Sequence, residues 1–477
     1  MFDDWRTLRQ GATEPLGELV PGPATARHSP LAAVAAAPAH RGKSRLYLSV
    51  RLKFFIALVV GTLWAGFSFW VARTWLHDFS GLVGVVPAYL VVFGIAIIPG
   101  FMNAFLIASL LLDRRPEILV PTQAQPGISI LVAAYNEAPN IASTIESIAR
   151  QGYPGPLQVI VINDGSTDGT AHALAGLNYP WLELIDLARN GGKANALNVG
   201  LERVRYRLTI TVDGDSYLYR NALRNLVGRY LSDPGDTRAV AGAILVRNSR
   251  KNLVTAAQEW DYFHGIAAIK RLQSLYQGTL VAQGAFSIYD TATLRELGGW
   301  PHTVGEDIVL TWRMLERGHR IGFAENACVF TNAPETWRQF VRQRQRWSRG
   351  LIEAFKAHWR LLFKPRMATL FVWWNLLFPY MDLVFTLAFI PGLVLALFGI
   401  YWIAGPLTLL LLPLAALVNY IMYRIQRGMF VQQGLKVRHN LTGFLFYALC
   451  YSFVLQPASV VGYLEELLNR SKRWGTK

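Results

Sequence analysis

The chain has 477 residues, of which 52% are hydrophobic and only 16% charged, against about 25% charged in soluble domains. Its mean hydropathy of +0.25 argues against a set of soluble domains and for a membrane protein; a formal net charge of +16 would point to nucleic-acid binding in a soluble chain and to cytoplasmic loops near an anionic leaflet in a membrane chain, which the position of the basic residues decides. Cys328 and Cys450 lie too far apart in sequence for metal-ligand spacing and suggest no disulfide framework, which excludes zinc modules and small secreted scaffolds.

Residues 1–47 are rich in Ala, Pro, Gly and charge without a sustained period, which predicts a weakly ordered tail, and no cleavable signal peptide is evident at the start. Residues 48–115 carry two apolar runs, from Phe54 to about Val71 and from about Leu82 to Leu112, each at or beyond the ~18 residues a membrane helix needs. Residues 116–335 change character. Apolar runs of strand length at 128–134, 158–162 and 208–212 alternate with helical stretches and Gly- and Asp-containing turns, an α/β pattern. Residues 336–369 read as basic interfacial helices. Residues 370–477 hold about three further membrane segments and a basic tail; Gln456-Pro457 interrupts the last segment and leaves its crossing open. Basic clusters at Arg41 to Lys53, Arg114-Arg115 and Arg424 to Arg438 put the α/β domain on the cytoplasmic side.

The first strand runs into Ala133-Ala134-Tyr135-Asn136-Glu137 before the helix-like "NIASTIESIAR". Ligands of open α/β sheets bind at such carboxyl ends, although Tyr135 and Glu137 are equally explained as a loop aromatic and a helix-start acid. The second strand ends in Asp164-Gly165-Ser166-Thr167-Asp168. Gly, Ser and Thr there suit a turn and helix cap, whereas Asp164 suits an N–H on a nucleobase edge. Gly191-Gly192-Lys193 is a glycine turn entering a helix, with a lysine that is either exposed or placed for phosphate. The strand "RLTITVDGDS" ends in Asp213-Gly214-Asp215. Carboxylates two residues apart on a bent strand end can share a hard divalent cation with diphosphate oxygens. Glu306 and Asp307 open the helix-like "IVLTWRMLERG", where acids complement the helix dipole. Gln343, Arg346 and Trp347 sit in "WRQFVRQRQRWSRG", which an interfacial helix explains for its charge but not for that trio.

Taken in order, Asp164, Asp213 to Asp215, Glu306-Asp307 and Gln343 to Trp347 (QxxRW), placed between membrane spans, resemble the processive family-2 glycosyltransferases, the group of cellulose, chitin, hyaluronan and poly-N-acetylglucosamine synthases. The resemblance covers about residues 48–470. Gly305 departs from the Thr that often precedes Glu-Asp there. It implies an α/β fold in which a cytoplasmic GT-A-type domain is inserted between transmembrane helices, two before and about three after. It also implies an inverting transferase that polymerises a UDP-activated sugar into a β-linked polysaccharide and extrudes it through its own channel in a bacterial inner membrane. Ala133, Tyr135, Glu137, Asp164, Lys193, Asp213, Gln343 and Arg346 would then bind the UDP-sugar donor, and Asp213 and Asp215 would hold Mg²⁺ or Mn²⁺. Asp307, with Glu306, would be catalytic, and Trp347 would meet the growing polysaccharide acceptor. The bilayer and a small accessory membrane subunit are further implied partners. The span layout and the ending "QPASVVGYLEELLNRSKRWGT" resemble bacterial poly-β-1,6-N-acetylglucosamine synthases, which points to UDP-N-acetylglucosamine. Hyaluronan, chitin-like and cellulose synthesis stay open, as does a non-processive transferase acting on polyprenyl phosphate, though QxxRW favours a polymer. A basic membrane protein recruiting nucleic acid or anionic lipid would have no use for acids at successive strand ends.

Overall fold

A computed structural model describes residues 48–113, 125–435 and 439–471. The tail 1–47, Arg114-Arg115, Lys436 and Arg438, and the terminal residues 472–477 lie outside the described residues. The α/β domain is built on one sheet of eight strands: β1 Ile128–Ala134, β2 Leu157–Asp164, β3 Leu182–Leu187, β4 Leu208–Asp213, β5 Tyr217–Leu218, β6 Thr237–Val246, β7 Phe286–Asp290 and β8 Arg320–Thr331. Their order is β3-β2-β1-β4-β7-β6-β8-β5.

Strands β3, β2, β1 and β4 are parallel, and β1, β2 and β4 are apolar nearly throughout, as both faces of a parallel sheet are covered. The register sets Ala133 beside Asp213 and Ala134 beside Asn163, so the polar tips of three strands emerge together. The chain goes from β1 outward to β2 and β3 and returns on the other side of β1 as β4. That reversal opens a crevice at the carboxyl ends of β1 and β4, where ligands of such sheets bind. Strand β7 runs antiparallel to β4 and β6, while β8 pairs parallel with β6.

One face of the sheet packs Ile128, Ile130, Val132, Val159 and Val161 against helix α1, Ile141–Ala149, and the helix Ala222–Ser232. The other face presents Leu131, Ile160 and Ile162 to helix α2, Lys193–Glu202, in a core that continues without a break into Phe105, Phe371 and Tyr463. Those residues belong to helices long and apolar enough to cross a membrane, of which the described residues contain five: Val50–Val71, Val85–Leu112, Thr369–Leu397, Thr408–Gln432 and Leu441–Leu467. The last is a continuous helix through Gln456-Pro457, widened to a π-turn at Tyr447–Tyr451. A Pro removes one backbone hydrogen bond, which a neighbouring π-turn can accommodate. This face of the sheet and the membrane helices therefore share one apolar core, and Arg271 adds a polar tie, reaching Asp113 at the end of the second membrane helix and Glu325 in β8, both at 2.6 Å.

Helices α3, Glu306–Glu316, and α4, Trp337–His358, cross at close range. A Cβ on Gly305 would stand 2.6 Å from Gly350 Cα, so the backbones meet where only glycine fits. Trp312 packs edge-on to Phe355 at 4.7 Å, a pair worth about 0.5–1.5 kcal/mol beyond its buried area. Glu353, buried on α4, accepts the Gly305 N–H at 2.9 Å. The Gly305 departure from the usual Thr thus has a steric cause. A larger residue there would push the Glu306-Asp307 turn off α4.

Candidate active site

The residues to which the family resemblance gave a donor, metal, catalytic or acceptor role, from Ala133 and Asp164 to Trp347, all line a cavity of about 1520 Å³ at the carboxyl ends of β1 and β4. The same cavity continues between the second, third and fifth membrane helices, past Asn103, Trp374, Asp382 and Gln456.

The loop after β1 turns through Asn136, whose φ of 55° is one that Asn tolerates better than most residues. Ser166 Oγ accepts the Asn136 N–H at 2.9 Å, Asn136 Oδ1 accepts the Thr167 N–H at 2.9 Å, and Thr170 Oγ1 accepts the Glu137 N–H at 2.8 Å. Ser166 and Thr167 therefore fasten the β1 loop instead of capping a helix; the short helix Thr170–Ala175 has Gly169 at its N-cap and no side-chain cap. Glu137 is held from within the loop by Asn140, at 2.9 Å. Tyr135 stands exposed at the cavity mouth.

Asp164 is 3% exposed, and its two carboxylate oxygens accept the N–H groups of Gly191 and Gly192 at 2.9 and 2.8 Å. Burial raises its pKa and those two bonds oppose the rise. Asp164 thereby shapes the glycine turn in addition to facing the cavity. Gly192 has φ 86°, a conformation open to glycine at little cost, and it launches α2 so that Lys193 points inward. Lys193 Nζ bonds Asp213 and lies 3.9 Å from Glu306. Burial would lower this ammonium, but Asp213 and Glu306 outweigh it and hold it above its ordinary value.

Asp215 accepts a long hydrogen bond from Thr331 in β8, at 3.4 Å. Among the described residues no group of three or more His, Cys, Asp or Glu gathers as a metal cluster. Two carboxylates at a strand tip nevertheless fit a hard cation that completes its shell from diphosphate and water, the habit of Mg²⁺.

Glu306 and Asp307 open α3 facing this group. Glu306 is buried, and its pKa is pushed up to about 7 by that burial and by Asp307, with Lys193 and Arg346 opposing. Asp307 Oδ2 accepts the Gly284 N–H at 3.2 Å and Oδ1 the Ile308 N–H at 2.7 Å, so its carboxylate is oriented by backbone while still facing the cavity. From α4, Gln343 presents a buried Oε1 without a hydrogen-bond partner among the described residues, Arg346 reaches the field of Glu306, and Trp347 is 40% exposed. Trp337, at the start of α4, packs instead on Phe340 and Phe446 away from the cavity.

Sequence reasoning missed Lys270, Gln283 and Arg344. Lys270 lines the cavity, donates to Val281 O at 2.7 Å, and has its pKa lowered well below normal by burial, with Asp307 opposing. Gln283, beside Gly284, carries a buried Oε1 with no partner among the described residues. Nothing in the segment around Lys270 signals a site, but "AQGAFSIYD" could have been read as a turn entering an inner strand.

Residues 126–350 match the family described as glycosyltransferase like family 2. The poly-beta-1,6-N-acetyl-D-glucosamine synthase of Staphylococcus aureus strain COL is 31% identical over 242 residues, covering 50% of this chain and 57% of the relative. The synthase of the same name from Staphylococcus epidermidis is 29% identical over 278 residues, covering 58% and 66%. The matches thus span less than two thirds of these relatives' own length. Among solved structures, the mannosyltransferase PcManGT from Pyrobaculum calidifontis, in complex with GDP-Man and Mn2+, superposes with a TM-score of 0.51 at 19% identity, covering 89% of this chain and all of that one; this is a likeness of fold. With its GT-A-like sheet, its strand-tip carboxylates and the match over residues 126–350, the chain carries a domain of glycosyltransferase family 2.

Proposed function

We propose that the protein is an inverting, processive polysaccharide synthase that transfers sugar from a UDP-sugar, UDP-N-acetylglucosamine foremost, to a growing β-linked chain and passes that chain across the membrane. The observation that carries the proposal is the continuity of the cavity, which holds the acidic strand tips, Asp307 and Trp347 and runs on between three membrane helices. A transferase that modifies polyprenyl phosphate needs access from the lipid but no passage across the membrane. The names of the staphylococcal relatives support N-acetylglucosamine as the sugar.

Asp164 and the Gly191-Gly192 turn face the nucleoside, while Lys193 and Arg346 supply positive charge for the diphosphate. Asp213 and Asp215 would hold a divalent cation, which supplies Lewis-acid stabilisation of the departing diphosphate. Asp307 takes the proton from the acceptor hydroxyl as that oxygen attacks the anomeric carbon opposite the leaving group, so an α-linked donor yields a β-linkage. Lys270 fixes Val281, and hence the segment before β7 that brings the Gly284 amide to Asp307. Trp347 offers a ring face to the acceptor sugar. The domain lies on the cytoplasmic side of a bacterial inner membrane in this reading, as its flanking basic residues indicate.

The test is to incubate the purified full chain in lipid with each radiolabelled UDP-sugar and digest the product with linkage-specific hydrolases. Label in polymer cut by a β-1,6-N-acetylglucosaminidase is the expected result. UDP release with label only in polyprenyl-phosphate sugar would replace this proposal with the non-processive one.

A further inference from the structure

Arg344 occupies a position between Gln343 and Trp347 that the motif leaves unspecified, yet it is 5% exposed and held from three directions. Its Nη2 bonds Asp261 Oδ2 at 2.6 Å and Tyr451 OH at 3.0 Å, and Tyr451 OH in turn bonds the same Asp261 oxygen at 3.0 Å. The guanidinium carbon stands 4.2 Å from the centre of the Trp347 ring and 4.9 Å from that of Phe340. Asp261 leads directly into the π-helical turn Tyr262–Ala268, and Tyr451 closes the π-turn of the fifth membrane helix. An extra residue in a helical turn re-aims the side chains around it and recurs at functional sites. Two such turns converge on this one guanidinium.

We infer that Arg344 is a positioning residue that, braced by Asp261 and Tyr451, covers one face of the Trp347 indole and leaves the other face to the acceptor sugar. The inference rests on the proposal that Trp347 meets the acceptor. A buried ion pair returns little net stability against the desolvation of its two charges, so stability alone is a weak reason for burying Arg344 against the partly buried Asp261. A planar guanidinium does what the ammonium of Lys cannot: it lies against a ring while its edge makes directed hydrogen bonds. Because one bond of the brace comes from Tyr451, the acceptor ring is also tied to a helix that borders the membrane part of the cavity.

The test uses the full chain in lipid nanodiscs with UDP-N-acetylglucosamine, Mg²⁺ and an acceptor oligosaccharide. Arg344→Lys keeps the charge opposite Asp261 and removes the planar cover. Tyr451→Phe removes only the hydroxyl, and it keeps the question answerable should Arg344→Lys fold poorly. In both, UDP affinity is expected to stay within about 2-fold while the acceptor KM rises ~10- to 100-fold, the scale of a misplaced reacting group, and polymer shortens. Trp347→Phe combined with Arg344→Lys is expected to be little worse than the worse single variant, since coupled residues are non-additive. Multiplying defects in the double variant, or unchanged acceptor KM and polymer length in both single variants, would overturn the inference. Normal polymer from Trp347→Ala would overturn the acceptor reading beneath it, so the two failures are distinguishable.

Discussion

Asp215 is the residue whose role is most directly a matter of charge. In its proposed role as a ligand to a hard cation it would lose most of its value when one oxygen becomes an amide. Asp215→Asn is expected to reduce transfer to near background and to remove the Mg²⁺ dependence of UDP binding, measured by titrating nucleotide with and without the metal; near-normal turnover would exclude it as a ligand. Glu306 makes a prediction about pH. Its folded pKa is raised from the ordinary 4.5 to about 7, so the folded state holds a proton that the unfolded chain releases. Its contribution to stability is full below pH 4.5 and is lost as pH rises toward 7. The melting temperature of donor-free protein should carry that falling component across this window, and Glu306→Gln should remove it. Identical slopes in both proteins would contradict the assignment.

At the scale of elements, β1, β2 and β4 were legible because buried parallel strands read as apolar runs, and each ends in the motif that gives it away. The rest was less legible for physical reasons. Strand β3 is at the sheet edge with half-exposed side chains, β5 has two residues, and β6 and β8 find each other across some eighty residues of chain. Helices α3 and α4 were read from the sequence as helical stretches, but their crossing was not, because a Gly305-Gly350 contact leaves no trace in local periodicity. That contact places Glu306 and Asp307 against α4. A Cβ on Gly350 would stand 2.8 Å from Gly305 Cα, an overpacking of the kind that costs about 1–3 kcal/mol. Gly350→Ala should therefore lower kcat more than it lowers melting temperature, because the displaced segment carries Asp307, the proposed base. Proportionate losses would mean that the crossing serves stability alone.

Across the whole molecule, a sheet-end site opens into membrane helices through a shared core, and the site residues named from motif order converge on one cavity. What the sequence could not supply were groups with no motif, Lys270, Gln283 and Arg344, which matter through where the fold puts them. Two tryptophans on α4 separate the molecular account from a simpler one. Trp347, 40% exposed, lines the cavity, whereas Trp337, 38% exposed, packs on Phe340 and Phe446. Interfacial anchoring would use both alike. Trp347→Ala is expected to stop elongation while sparing expression, membrane insertion and UDP binding, and Trp337→Ala to leave polymer yield nearly intact. Equal yields from the two would remove the acceptor site from Trp347.

The central claim is that Asp307 deprotonates the acceptor in a site whose donor binding is built from other residues. Its most direct test is Asp307→Asn in lipid, with UDP-sugar affinity and sugar transfer measured on the same preparation. Affinity within about 2-fold of the unaltered protein with transfer reduced at least ~10²-fold, the scale of general-base catalysis, is the expected result; transfer that persists, or affinity and transfer that fall together, would contradict it.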